Sequence, residues 1–345
     1  MNPINTIQPI RWAKNHLQLL DQRLLPQQNI YLSLKDAPAT AQAITDMVVR
    51  GAPAIGITAA YGVVLAARVA YAKAGDNWRQ AIAADMQKLA ASRPTAVNLF
   101  WALQRLSALF PDISGDPEPV LLAEALHIQQ QDITDNQIMG DFGAAYLPEN
   151  SEIITHCNAG ALATGGYGTA LGVVRSAWTA GKLQRVYADE TRPWLQGARL
   201  TAWEMVQEKI PVTLIAEGAA AARMQQGNIS WVIVGSDRIA NNGDVANKIG
   251  TCGLAILARY YGVKFMVVAP TSTIDMQLNS GAEIPIEQRA GNELLQCGQQ
   301  HIAADGAEAW NPVFDVTPAD LVDVLVTERG AIEKPNQEKI AQLMK

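Results

Sequence analysis

Five short runs rich in β-branched residues recur through the second half of the chain: EIITH from position 152, QRVYA from 184, PVTLI from 211, SWVIVG from 230 and KFMVVA from 264. Their starts lie 32, 27, 19 and 34 residues apart, with helical stretches between them. That is the spacing of strand–helix units wound by right-handed crossovers into a parallel sheet, so it predicts a Rossmann-like α/β domain. In such a sheet ligands bind beyond the carboxyl ends of the strands. The loops beginning at Cys157, Asp189, Glu217, Asp237 and Pro270 are therefore expected to share one crevice.

The first half has a different character. Helical patterns run over 37–49, 53–73, 78–91 and 94–109, with no strand–helix alternation. FPDISGDPEP, at 110–119, gathers three prolines, a glycine and three acids, and is expected to be a linker. A long helix over 120–146 follows. Because 345 residues exceed the roughly 250–300 at which a single core stops growing, two domains are expected, a smaller and mainly helical one over 1–119 and the Rossmann-like one over 120–345.

Composition narrows the class further. With 49% hydrophobic and 17% charged residues the chain has ample material for a core, which excludes disorder. A net charge of −6 gives no electrostatic footprint for nucleic acid or an anionic membrane. The amino terminus carries no signal-peptide pattern, and the uncharged run over 153–174 holds five glycines and several polar residues, which suits a buried loop and helix better than a membrane span. Cys157, Cys252 and Cys297 are odd in number and far apart, and His16, His127, His156 and His301 do not cluster. A disulfide framework and a structural zinc site are thus disfavoured, and a reducing, cytoplasmic setting is expected.

Three arginines stand shortly before a proline that could open a helix: Arg50 in RGAPAIG, Arg93 in SRPTAVN and Arg192 in ETRPWLQG. Free N–H groups, the positive end of a helix dipole and a guanidinium fork together suit a phosphate. An exposed arginine beside a helix cap would explain any one of them. The recurrence carries the argument, most of all at Arg50, whose neighbour Gly51 lets backbone approach a ligand closely.

THCNAGALATGGYGTALG follows a strand and opens a helix, but its glycines fit neither the dinucleotide nor the P-loop spacing, so Asp189 at the next strand end does not imply a dinucleotide. Cys157, just past the strand at a glycine-rich helix entrance, is the sharper feature. Cys252 and Cys297 read as inert. Asp237, just beyond another strand in VGSDRIANNGDVANKIGT, could act as a general acid if its pocket is partly dry, or could pair with Arg238 or cap a turn. Asn247 and Lys248 are expected where the following helix starts, able to hold hydroxyl and phosphate groups, with Asn247 alternatively a helix cap. His156 neighbours Cys157, yet adjacent residues on a strand face opposite ways, so the two are expected to be split.

Six segments in order resemble the methylthioribose-1-phosphate isomerase family: LLDQRLLP at 19–26, MVVRGAPAIGI at 47–57, THCNAGALATGGYGTALGV at 155–173, ETRPWLQGARLTAWE at 190–204, GSDRIANNGDVANKIGT at 235–251 and NPVFDVTP at 311–318. The likeness spans nearly the whole chain. It implies a helical amino-terminal domain on a Rossmann-like one, a homodimer, no metal or other cofactor, and conversion of 5-methylthioribose 1-phosphate to 5-methylthioribulose 1-phosphate. The family's catalytic pair falls on Cys157 and Asp237, and its substrate contacts on Arg50, Gly51, Ala52, Arg93, Gln196, Asn247 and Lys248. Ser236, where alanine is more usual, and the stretch 291–310 depart from the pattern. The same superfamily includes ribose-1,5-bisphosphate isomerases and non-catalytic regulatory subunits of the translation-initiation exchange factor, which are the alternatives to weigh.

Overall fold

A computed structural model describes residues 7–94, 96–298 and 300–345. The chain divides into two compact units, residues 7–135 with Gly160–Gly168, and Asn136–Ala159 with Thr169–Lys345.

The first unit opens with an antiparallel meander of β1 (Ile10–Ala13), β2 (His16–Leu20) and β3 (Tyr31–Leu34). Helices follow: α1 (Ala37–Thr45), α2 (Ala52–Ala74), α3 (Trp78–Ala81), α4 (Ala83–Ala91) and α5 (Val97–Ser107). The helices lie where the sequence predicts them, and the meander precedes them in this mainly helical unit. Asp36 caps α1 by accepting the Ala39 N–H at 2.8 Å. The core is built on α2, whose small residues let neighbours come close; Ala54, Ile57, Tyr61, Val64 and Leu65 are all buried in it. The apolar stretch Ala52–Ala81 has a membrane span's length and composition, but 83% of its most apolar window is buried inside the protein.

Phe110–Pro117 is a turn within this unit. Ile113 is buried in the core, and the Phe110 ring meets Trp78 edge-on at 5.0 Å. Helix α6 (Glu118–Ala145) then runs without a break past the position where the units divide. The division therefore falls at Asp135/Asn136 and not at the 119/120 boundary expected from composition. Prolines and acids marked a packed turn, and the continuous helix carried the chain onward.

The second unit is a doubly wound sheet of seven strands among the described residues. Parallel β4 (Ser151–Thr155), β5 (Leu183–Asp189), β6 (Val212–Ile215), β7 (Ile229–Val234) and β10 (Lys264–Val268) match the five predicted runs. Between them come α7 (Ala170–Thr179), α8 (Ala202–Gln207), α9 (Ala220–Gln225) and α10 (Thr251–Tyr261). A smaller sheet joins β8 (Arg238–Ala240), β9 (Val245–Lys248), β11 (Ile274–Asp275) and the later β14 (Phe314–Thr317). Helix α11 (Asn292–Leu295) and the short pair β12 (Gln296–Cys297) and β13 (Gln300–His301) lie in the stretch that departs from the family pattern. Parallel β15 (Val324–Thr327), antiparallel β16 (Gly330–Glu333) and α12 (Gln337–Leu343) end the chain.

The large sheet has the order β16-β15-β10-β7-β4-β5-β6. Side chains alternate across it as a period of two requires. Ile154, Val232, Val267 and Leu325 pack with α9 and α10 on one face, while Ile153, Ile233, Met266 and Val326 pack with α7 on the other. The chain moves outward from β4 through β5 to β6, then returns to the opposite side of β4 as β7. The gap between the carboxyl ends of β4 and β7 is thus the sheet's topological switch point, where open α/β sheets hold their ligands.

Candidate active site

Cys157 stands two residues past the end of β4, and Asp237 three past the end of β7. These strands are adjacent and parallel, so both turns border the switch point. The two turns also touch: a β-carbon on Gly235 would lie 2.6 Å from that of Ala159, so only glycine allows this approach.

The Cys157 backbone is left-handed, with φ of 61°. For a residue with a β-carbon this costs on the order of 1–3 kcal/mol and needs outside support. Two threonines supply it. The Cys157 N–H donates to Thr191 Oγ1 at 2.9 Å, and the Cys157 carbonyl accepts from Thr201 Oγ1 at 2.6 Å. Asn158 Nδ2 donates to Thr201 Oγ1 at 3.2 Å and to Glu204 Oε1 at 2.9 Å. Beneath them, fully buried Arg175 pairs with Glu204 and with Glu208, each at 2.8 Å. Burial works against its charge, and the two glutamates more than compensate, so its pKa is raised.

His156 and Cys157 both lie past the end of β4, so strand alternation does not govern the pair. The buried His156 ring lies between Asp189 Oδ2, 3.1 Å from Nδ1, and the Ile249 carbonyl, 2.8 Å from Nε2. Asp189, which a dinucleotide reading would have aimed at a ribose, is committed to this histidine.

Asp237 donates its N–H to the Ala246 carbonyl at 3.0 Å, and its side chain is exposed. Arg238, its neighbour in sequence, pairs with Asp275 at 3.4 Å. Asn247 and Lys248 belong to strand β9 and not to a helix start, because β14 pairs with β9 in antiparallel register and α10 begins only at Thr251. Successive strand residues face opposite ways. Asn247 is buried and donates to Thr251 Oγ1 at 3.1 Å, whereas the Lys248 ammonium lies 5.0 Å from the centre of the Phe314 ring. Gln196 precedes a π-helical turn, Gly197–Thr201. Its Oε1 is buried and has no hydrogen-bond partner among the described residues, which costs about 1–3 kcal/mol unless a ligand supplies a donor.

Arg50, Gly51, Ala52 and Arg93 belong to the first unit. Gly51, with φ of 92°, is the residue before α2, Ala52 is that helix's first residue, and no side chain caps the helix start. A β-carbon on Gly51 would lie 2.5 Å from the Ala163 carbonyl oxygen, so the glycine-rich loop packs directly on the start of α2. Buried Gln22 ties these pieces together: its N–H donates to the Val48 carbonyl and its Nε2 to the Leu162 carbonyl at 2.7 Å. The loop is an internally bonded plug, with the Gly165 N–H given to Asp132 Oδ2 at 2.7 Å. Arg93 is partly buried, and Pro94 comes before, not within, the helix that begins at Val97.

Arg192 corrects the reading of three anion-binding arginines. Its guanidinium donates to the carbonyls of Pro193, Leu294 and Gln296 at 2.8–3.0 Å, so it clamps the α11–β12 segment. Cys252 is partly buried, with burial and then Asp315 pushing its thiol pKa up, and Cys297 is exposed. Among the described residues no group of three or more His, Cys, Asp or Glu side chains could hold a metal ion. Sequence reasoning had not singled out Gln22, Thr191, Thr201 or the His156–Asp189 pair as parts of the site's framework.

Comparison with known proteins bears on this geometry. Residues 48–334 match the Initiation factor 2 subunit family. The methylthioribose-1-phosphate isomerase of Thioalkalivibrio sulfidiphilus is 58% identical over 99% of this chain and 98% of its own, and that of Alkalilimnicola ehrlichii is 59% identical over 95% of each. Among solved structures, 5-methylthioribose 1-phosphate isomerase from Pyrococcus horikoshii OT3 superposes with a TM-score of 0.95 at 43% identity, covering 99% of this chain and 97% of that one. The translation initiation factor eIF-2B subunit delta from A. fulgidus gives a TM-score of 0.89 at 38% identity over 98% and 100%. With relatives of that name alike over almost their entire lengths, the chain belongs to the Initiation factor 2 subunit family, in its methylthioribose-1-phosphate isomerase branch.

Proposed function

We propose that the protein is an aldose–ketose isomerase converting 5-methylthioribose 1-phosphate to 5-methylthioribulose 1-phosphate, a step of methionine salvage. The observation that carries this reading is the pairing of Cys157 and Asp237 on turns that border the sheet's switch point. Near-full-length likeness to enzymes of that name supports it.

The anomeric phosphate keeps the sugar ring closed, so the bond from C1 to the ring oxygen must break first. Asp237 delivers a proton to that oxygen, which leaves with the bonding pair, and positive charge builds on C1. In a proton route, Cys157 takes the C2 proton, the C2–H pair becomes the C1=C2 bond, and the thiol then returns the proton to C1. In a hydride route the C2–H pair moves directly to C1. In both, the C2 hydroxyl proton passes to the carboxylate left on Asp237, and oxidation at C2 balances reduction at C1. Arg50 and the free amides at the start of α2 fix the phosphate. Gln196 Oε1, buried without a donor, accepts a sugar hydroxyl, and Arg93, Asn247 and Lys248 are the remaining substrate contacts. The same reading carries a homodimer in the cytoplasm.

Two rivals share the fold. A ribose-1,5-bisphosphate isomerase would need a second cationic cluster for its extra phosphate. A non-catalytic subunit is favoured by the likeness to the A. fulgidus protein, but has no use for the strained, doubly anchored cysteine. Purified protein assayed with both sugar phosphates separates the three. It is expected to turn over the methylthio sugar alone; turnover of only the bisphosphate, or of neither, rejects the assignment. Cys157→Ser and Asp237→Asn should each lower kcat by about 100- to 10,000-fold, and Arg50→Ala should chiefly raise KM. Near-normal kcat in either of the first two removes that residue from the chemistry. Substantial deuterium at C1 of product formed in heavy water rejects the hydride route.

A further inference from the structure

His156 lies at the junction of three strand-end turns, and the chemistry proposed above gives it no part. Its ring is buried just past the end of β4, next to Cys157 in sequence, and its nitrogens face Asp189 Oδ2 at the end of β5 and the Ile249 carbonyl in the turn after Asn247 and Lys248. A carbonyl cannot donate, so Nε2 carries a hydrogen. Asp189 is equally buried, and its other oxygen has no partner among the described residues.

The turn after β9 is moulded to this ring. Gly250, with φ of 103°, comes so near that a β-carbon on it would lie 3.0 Å from His156 Cε1, 3.1 Å from Nε2 and 2.9 Å from Glu217 Oε1. Glu217 Oε2 accepts the Arg192 N–H at 2.8 Å, and Asp315 accepts the N–H groups of Gly250 and Cys252 at 2.8 and 3.1 Å. Among the described residues, the ionisable groups that act on the ring and its partner include Asp189 and Glu190 from β5 and its end, Glu217 from the turn after β6, and Asp315 from β14.

We infer that His156 is a positioning residue of the isomerase site, held as a doubly protonated imidazolium that pins the turn bearing Cys157 to the turn following Asn247 and Lys248. One N–H goes to Asp189 and one to Ile249, so loss of either proton unfastens one tie. The ring's own surroundings act in the same direction, whereas burial raises the Asp189 pKa by more than the hydrogen bond and charge of His156 lower it. Burial by itself lowers the ring's pKa, and the hydrogen bond and charge of Asp189, with Glu217 and the Ile249 carbonyl, raise it further than burial lowers it.

The inference rests on the proposed reaction only for its kinetic half. With the histidines labelled with nitrogen-15, His156 is identified in the full-length protein as the signal that remains after His16, His127 and His301 are replaced by glutamine. Both ring nitrogens are expected to keep imidazolium shifts from pH 6 to pH 8.5. In Asp189→Asn, which keeps shape but removes the counter-charge, the ratio of variant to wild-type kcat should be at most one tenth at pH 8 and climb at least fivefold towards pH 6, where the ring regains its proton. His156→Gln should lower kcat at least tenfold at every pH, with thermal melting retained. A wild type that lacks isomerase activity overturns the proposed reaction and, with it, the kinetic role. An active wild type whose His156 is a neutral imidazole at pH 7.5, or an Asp189→Asn ratio that does not change with pH, overturns this inference alone.

Discussion

The carbonyl oxygen of Asp189 lies 1.6 Å from where a β-carbon on Gly197 would stand. Neither atom can retreat cheaply, because Asp189 ends a paired strand and Gly197 begins the π-helical turn that carries Thr201. Gly197→Ala is therefore expected to cost about 1–3 kcal/mol or more in stability through overpacking, with a thermal midpoint several degrees lower. It should also depress kcat through the displaced Thr201–Cys157 tie, and an unchanged midpoint would show that the turn has room to move. Residues of this kind explain why the site was only half legible in the sequence. Cys157 could be picked out by its place after a strand. Its anchors could not, since Thr191 and Thr201 reach it across 34 and 44 residues, and Asp189 reaches His156 across 33. Nothing local marks such partners.

Elements built from β-branched runs were readable for a physical reason. Buried parallel strands must be apolar on both faces, and EIITH, SWVIVG and KFMVVA are. The meander escaped notice because IRWA, HLQLL and YLSL are only four or five residues long, and HLQLL and YLSL rely on leucine and polar residues. Strand β9 escaped because VANK holds a single β-branched residue and one of its two partners, β14, lies more than sixty residues further on, so a segment that locally resembles a helix start is drawn into a sheet. Helix α2 has the opposite lesson, that small residues in a helix record close neighbours. A β-carbon on Gly56 would come within 2.8 Å of the Asn98 carbonyl oxygen on α5, whereas one on Gly253, exposed in α10, meets nothing within 4 Å. Alanine gains up to about 1 kcal/mol over glycine in a helix, and a clash with backbone costs about 1–3 kcal/mol. Gly56→Ala should lower the thermal midpoint and Gly253→Ala raise it. The same sign for both would mean that propensity, not packing, governs α2.

For the molecule as a whole, spacing and length foretold the fold class and the existence of two units, but composition misled about where they part. Prolines and acids at 110–119 mark a change of direction inside the first unit, while α6, with no proline or glycine between Val120 and Met139, spans the division. A solution mass of twice the 37.2 kDa chain is expected of the proposed homodimer, and light scattering that gives the single-chain mass at micromolar concentration would refute it. The chain's path has one more implication. The unit that begins at the amino terminus claims Gly160–Gly168, a piece lying beyond strand β4 of the other unit. A ribosome that has delivered the first 135 residues has not yet supplied the plug that Gln22, Gln129 and Asp132 hold, so this half must wait for its neighbour's first strand to be translated. Cutting the gene at the helix would give a leading fragment lacking that stretch, and the two halves are better regarded as one interleaved translation product than as separable modules.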